Sequence, residues 1–174
     1  MKSVKPPYLH SGYPKVLPTF SSIAYELTQQ PAAVWKATPK QDGYNKVPCH
    51  PETGRYLKTS EPDTWGSFEQ AKAAYERGGW SGVGILLTGN GIVGFDIDKA
   101  KETFARNPEV KCWLVNAIKA GAYVEKSPSG NGYRGFVRGV LPTGCSKRGD
   151  SVEMYADVRF LTVTGHVVKL KEAE

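Results

Sequence analysis

The chain has 174 residues, a net charge of +6 and a hydrophobic content of 40%, enough for one domain with a substantial core. No apolar run approaches the roughly 18 residues that a membrane span needs, and the three cysteines, Cys49, Cys112 and Cys145, are too widely spaced for a disulfide framework or a CxxC knuckle. A reducing, cytoplasmic setting without a membrane partner is expected, and the basic balance points towards a polyanion.

Residues 1 to about 20 carry Pro6-Pro7, Pro14 and Pro18 and read as an extended arm before a single body over 21–174. A short helix is expected over 22–29, stopped by Pro31, then a strand over 33–36. Turn formers crowd residues 37–62, which read as a loop or an irregular hairpin. Ser67 and Gln70 form a capping box ahead of a helix over 68–77, closed by Gly78-Gly79. The apolar runs 83–87 and 92–98 flank Thr88-Gly89-Asn90-Gly91, and Asn-Gly in that setting predicts a β-hairpin. Asn107 and Pro108 open another helix, with Val110, Trp113, Leu114, Ala117 and Ile118 at helical spacing and Gly121 after its end. Strands are expected over 122–125, 133–138, 152–155, 159–164 and 167–170. The order predicts an α+β protein with a mixed, largely antiparallel sheet flanked by helices.

Within this frame Asp96 and Asp98 lie two apart in the apolar run Gly91-Ile92-Val93-Gly94-Phe95-Asp96-Ile97-Asp98. Side chains on a strand alternate, so both carboxylates share a face while Phe95 and Ile97 take the other. Two like charges that close repel, and a divalent cation relieves the repulsion, hard oxygen ligands suiting Mg²⁺ or Mn²⁺. The same pattern occurs at strand ends, in turns and in sugar-nucleotide enzymes, so a third acid matters. Val152 and Met154 share one face of their strand and leave Glu153 on the other; Asp157, close by, reads as turn chemistry.

Ser127-Pro128-Ser129-Gly130-Asn131-Gly132 offers backbone N–H groups and hydroxyls suited to a phosphate chain, and Arg134 follows with a charge-assisted contact. It is not the GxxxxGK[ST] loop. Lys46, Arg55 and Lys58 make the middle segment basic, and Trp35, Tyr44, Tyr56 and Trp65 flank it, a mixture that serves a nucleic-acid strand or a core equally well. His166 stands at the end of the last strands. Cys49-His50 would be half of a zinc site, but no second pair has suitable spacing.

Taken together, Trp35, Lys46-Val47-Pro48, Thr64-Trp65-Gly66-Ser67-Phe68, Gly82-Val83-Gly84, Gly94-Phe95-Asp96-Ile97-Asp98, the Ser127–Gly132 loop, Val152-Glu153-Met154-Tyr155 and Arg159-Phe160-Leu161-Thr162-Val163-Thr164-Gly165 resemble the primase–polymerase (PrimPol) domain of phage and plasmid replication proteins, in the archaeo-eukaryotic primase superfamily. The resemblance covers about residues 32–168. It implies an RRM-like catalytic core and metal-dependent, DNA-templated nucleotidyl transfer, as primer synthesis, polymerisation or both. Asp96, Asp98 and Glu153 match the family's catalytic acids, which would hold Mg²⁺ or Mn²⁺. Ser127, Ser129, Gly130 and Arg134 would hold the triphosphate, with Lys46, Arg159 and His166 as further nucleotide or template contacts. At the position of Arg134 the family usually has His, a departure that bears on triphosphate binding and nucleotide choice. The implied partners are a single-stranded DNA template, NTP or dNTP substrates and a fused or separate helicase. Two other classes compete: a non-catalytic PrimPol-fold module binding origin or single-stranded DNA, and a D-x-D nucleotide-sugar transferase, for which the chain lacks an evident βαβ succession.

Overall fold

The computed structural model describes residues 16–40, 43–142, 147–148 and 152–173; residues 1–15 of the expected arm lie outside them. Nine strands follow in chain order: β1 (Ala32–Lys40), β2 (Gly43–Cys49), β3 (Gly82–Thr88), β4 (Ile92–Ile97), β5 (Tyr123–Lys126), β6 (Tyr133–Arg138), β7 (Lys147–Arg148), β8 (Glu153–Tyr155) and β9 (Asp157–Val163). The helices are α1 (Tyr25–Thr28), α2 (Phe68–Arg77), α3 (Ala100–Arg106), α4 (Pro108–Lys119) and α5 (Leu170–Ala173). The α+β class holds, with antiparallel sheets flanked by helices, consistent with a primase catalytic core. The strands form two sheets where one was expected, in the orders β2-β1-β3-β9 and β5-β6-β4-β8-β7.

The expected hairpin between the runs 83–87 and 92–98 does not form. β3 pairs with β1 and β9, and β4 pairs with β6 and β8, so neither has a free edge for the other. Both are nearly continuous buried runs, the signature of strands covered on both faces rather than of an alternating hairpin arm. The Thr88–Gly91 link, with Gly89 and Gly91 at positive φ, instead carries the chain from one sheet to the other. Asn90 donates its side-chain amide to Gln30 Oε1 at 2.7 Å.

Other elements follow local chemistry. The capping box is complete: Gln70 N–H donates to Ser67 Oγ and Ser67 N–H donates to Gln70 Oε1. Helix α2 then buries Phe68, Ala71 and Ala74 against the first sheet, among Val34, Val83, Ile85 and Leu161. The middle segment is more regular than a loop, because β1 runs on to Lys40 and returns as β2 in register from Val34↔Cys49 to Lys40↔Gly43. Helix α4 starts at Pro108 as expected, although Asn107 makes no side-chain cap bond. It lays Leu114 and Trp113 on a second core with Phe95, Ile97 and Val124. Helix α3 was not expected; Lys99, in the left-handed region (φ 46°), turns the chain off β4 into it. Instead of a strand over 167–170, Val167 makes a single bridge to Glu125 and α5 begins at Leu170.

Gly94 lets the sheets meet closely, since a Cβ there would overlap Leu161 of β9. Phe95 and Ile97 face the second core, which sends Asp96 to the other side of β4, towards the first sheet.

Candidate active site

Residues directly opposed in antiparallel strands share a face, and the register places four ionisable side chains in one row across the second sheet. Glu125 of β5 opposes Arg134 of β6, Arg134 opposes Asp96 of β4, and Asp96 opposes Glu153 of β8. The charges run acid, base, acid, acid.

Arg134 is buried and its donors are committed. Nε donates to Asp96 Oδ1 at 2.7 Å, and Nη2 lies 2.6 Å from the same oxygen in an ion pair. Nη1 donates to the carbonyl oxygen and Oγ1 of Thr162 on β9. The guanidinium thus bridges the sheets with Asp96 as its counter-charge. Glu153 Oε2 accepts from the Tyr155 hydroxyl at 2.6 Å and lies 3.5 Å from Arg159 Nη2. The Arg159 guanidinium stacks over the Tyr155 ring at 4.0 Å. Arg159 follows a bulge in β9: Asp157 pairs with Thr88 and Arg159 with Leu87. Val158 between them has φ 46°, a strained conformation for a β-branched residue.

A cavity of about 620 Å³ opens between the sheets. Asp96, Asp98, Arg134 and Glu153 line it from the second sheet, and Lys46, Lys58, Arg159 and Thr162 line it from the first sheet and the segment after β2. Asp98 is exposed just beyond β4, and its carbonyl accepts from Thr103 Oγ1 at 2.9 Å. Of the ten site residues expected from sequence, Asp96, Asp98, Glu153, Arg134, Lys46 and Arg159 line this space.

The other four lie elsewhere. Ser127 is buried with Oγ 3.0 Å from Ser129 Oγ, its N–H donates to the Gly132 carbonyl, and Gly130 N–H donates back to the Ser127 carbonyl. The loop is therefore closed on itself. It packs on the end of β4, where a Cβ at Gly132 would overlap the Ile97 carbonyl and touch Asp98. Ser127, Ser129 and Gly130 do not line the cavity. His166 also stands outside it, with Nε2 2.7 Å from the Leu17 carbonyl oxygen and 3.2 Å from Thr19 Oγ1.

Sequence reasoning missed Glu125 and Thr162. Glu125 has no exposed surface; it accepts from Thr164 N–H, Gly165 N–H and the Tyr123 hydroxyl, each at 2.8 Å. Burial pushes its carboxyl up to about 7 against these bonds and the charge of Arg134. The same burial, with Glu125 beside it, raises the Tyr123 hydroxyl. The only sequence signal was a lone acid in the strand Tyr-Val-Glu-Lys, and its meaning depends on its register with Arg134.

Asp96, Asp98 and Glu153 offer oxygen donors only, the chemistry that fits Mg²⁺ or Mn²⁺, and all three line one cavity. Among the described residues no three acid, His or Cys side chains converge closely enough to hold a cation as they stand; Arg134 covers Asp96 Oδ1 and Tyr155 covers Glu153 Oε2.

No family model matches the chain. It is 32% identical over 136 residues to a DNA primase-polymerase of Nitratiruptor phage NrS-1, a match covering 74% of this chain. The chain carries a phage PrimPol-like domain. It spans 18% of that relative's length, so this PrimPol-like domain corresponds to a minor part of the phage protein. No helix among the described residues is long and apolar enough to cross a membrane.

Proposed function

We propose that the PrimPol-like domain catalyses DNA-templated nucleotidyl transfer, making or extending a primer strand. One observation carries the reading: Asp96, Asp98 and Glu153 line one side of a cavity whose other side is basic, in a chain similar to a DNA primase-polymerase. The acids would hold Mg²⁺ or Mn²⁺, which when bound supplies the charge that favours an attacking hydroxyl and a leaving pyrophosphate in an in-line displacement. The remaining work falls to the chain's own groups. Lys46 and Arg159 present positive charge to the polyphosphate, and Arg159, held by the Tyr155 ring and Glu153, is kept in place without ordering cost at the moment of binding. Ser127, Ser129 and Gly130, if they contact the polyphosphate, do so from beyond Asp98.

The test is incorporation of labelled NTPs or dNTPs on single-stranded templates, with and without a primer, in Mg²⁺ and in Mn²⁺. Asp96→Asn and Asp98→Asn should each lower incorporation at least about a hundredfold, the scale of losing a group that stabilises transition-state charge. Wild-type rates in either variant would sink the reading.

The Asp96–Arg134 pair favours a second reading, a module that binds origin or single-stranded DNA and does no chemistry, because the central acid already has a full counter-charge. Such a module shows no Asp96-dependent Mn²⁺ binding in isothermal titration. A nucleotide-sugar transferase has less support: every strand pair among the described residues is antiparallel, without the parallel-sheet crevice where open α/β folds bind nucleotides.

A further inference from the structure

We infer that Arg134 is a resident counter-ion of Asp96 that a divalent cation must displace, so that Arg134 sets the cation affinity of this centre. The inference rests on the proposed cation role of the acids and concerns a residue expected from sequence to grip the triphosphate.

Three features of the geometry carry it. First, Nε and Nη2 converge on a single oxygen, Asp96 Oδ1, on the cavity-lining acid that stands between Arg134 and Glu153 in the row. A cation joining Asp96 to Glu153 would then lie beside a guanidinium held in low dielectric, where like charges repel most strongly. Second, the guanidinium has little room for a phosphate while it stays, because Nη1 is spent on Thr162 and the side chain is only 4% exposed. Third, losing Asp96 would not strand Arg134. Glu125 opposes it on the far side from Asp96, while the carbonyl oxygen and Oγ1 of Thr162 still accept from Nη1. A buried cation left without partners is strongly disfavoured; with both Thr162 oxygens on Nη1 and the Glu125 carboxyl group opposite, Arg134 can give up Asp96 without being stranded. Asp96 therefore has two alternative cationic partners, one built into the chain.

The experiment is a Mn²⁺ titration of the wild-type chain, Arg134→Gln, Arg134→Lys and Asp96→Asn, followed by the electron paramagnetic resonance of free Mn²⁺ without nucleotide. Arg134→Gln should bind Mn²⁺ at least about tenfold more tightly than wild type. Arg134→Lys, which keeps the charge, should stay within a fewfold of wild type, and Asp96→Asn should lose the site. Equal or weaker binding by folded Arg134→Gln, with Asp96→Asn still losing it, overturns the counter-ion role and leaves the cation reading intact. Absence of Asp96-dependent binding in every protein overturns both. Should Arg134→Gln fail to fold, the wild-type protein decides: the Arg134 Nε–H resonance should shift and lose protection from solvent exchange as Mg²⁺ is added. A resonance unchanged while Mg²⁺ saturates an Asp96-dependent site overturns the proposal.

Discussion

Glu125 has no exposed surface in the fold, whereas in the unfolded chain its carboxyl is hydrated. In the unfolded chain its carboxyl titrates at the ordinary value of 4.5, whereas burial holds it near 7 in the fold. Between these values the folded chain keeps a proton that the unfolded chain has released. Its contribution to stability is therefore greatest below about 4.5, falls as the pH rises towards 7 and is level above, a change on the order of 3 kcal/mol from this one group. Glu125→Gln removes the titration and one carboxylate oxygen. It should lower stability by about 1–3 kcal/mol, since a backbone N–H from Thr164 or Gly165 then meets an amide nitrogen in place of an acceptor. In thermal melts from pH 4.5 to 8, the gap in Tm between wild type and Glu125→Gln should narrow as the pH rises. A gap constant across that window contradicts the assignment.

At the scale of elements, the row of charges depends on β4 lying between β6 and β8 with no offset. Gly135 secures that fit, because a Cβ at this position would overlap the Phe95 ring on the neighbouring strand. Overpacking of this kind costs about 1–3 kcal/mol. In denaturant, Gly135→Ala should lose that much stability and also weaken Mn²⁺ binding, because shifting Phe95 moves Asp96. Ser67→Ala supplies the contrast: it removes half of the capping box, costs about 1 kcal/mol and should leave Mn²⁺ binding unchanged. The same contrast explains what the sequence could tell. The capping box was legible because its partners stand three residues apart, and the opposite facing of Asp96 and Phe95 was legible because strand alternation is local. The partners of β4 were not, since Asn90-Gly91 has the same turn chemistry whether the next strand returns beside β3 or crosses to another sheet. Thr162 stayed hidden because it meets Arg134 from the other sheet, and Glu125 because its burial depends on the Thr164 and Gly165 amides, 39 and 40 residues further along the chain. The Ser127–Gly132 loop was read from composition as a phosphate cradle, but its Ser127 and Gly130 amides are spent within the loop.

At the scale of the whole molecule, the cavity sets its acids, one of them paired with Arg134, opposite its other cations. The acids come from the second sheet, whereas Lys46, Lys58 and Arg159 come from the first sheet and the segment after β2. A nucleic-acid backbone is repelled by the first set and attracted by the second, which fixes the side on which a template strand would run. The surface pair of Lys58 with Glu61 (2.8 Å) is exposed and too weak to hold the lysine back, and Tyr56, 73% exposed on the same segment, offers a face for base stacking. The double variant Lys46→Gln/Lys58→Gln should bind single-stranded DNA several-fold more weakly. The slope of log affinity against log salt should also flatten by about 1.4, near 0.7 for each phosphate of a single strand that no longer meets a lysine. Weaker DNA binding with an unchanged salt slope would mean that the lysines act by shaping the segment and not by meeting phosphates, and the template path would then have to leave this wall.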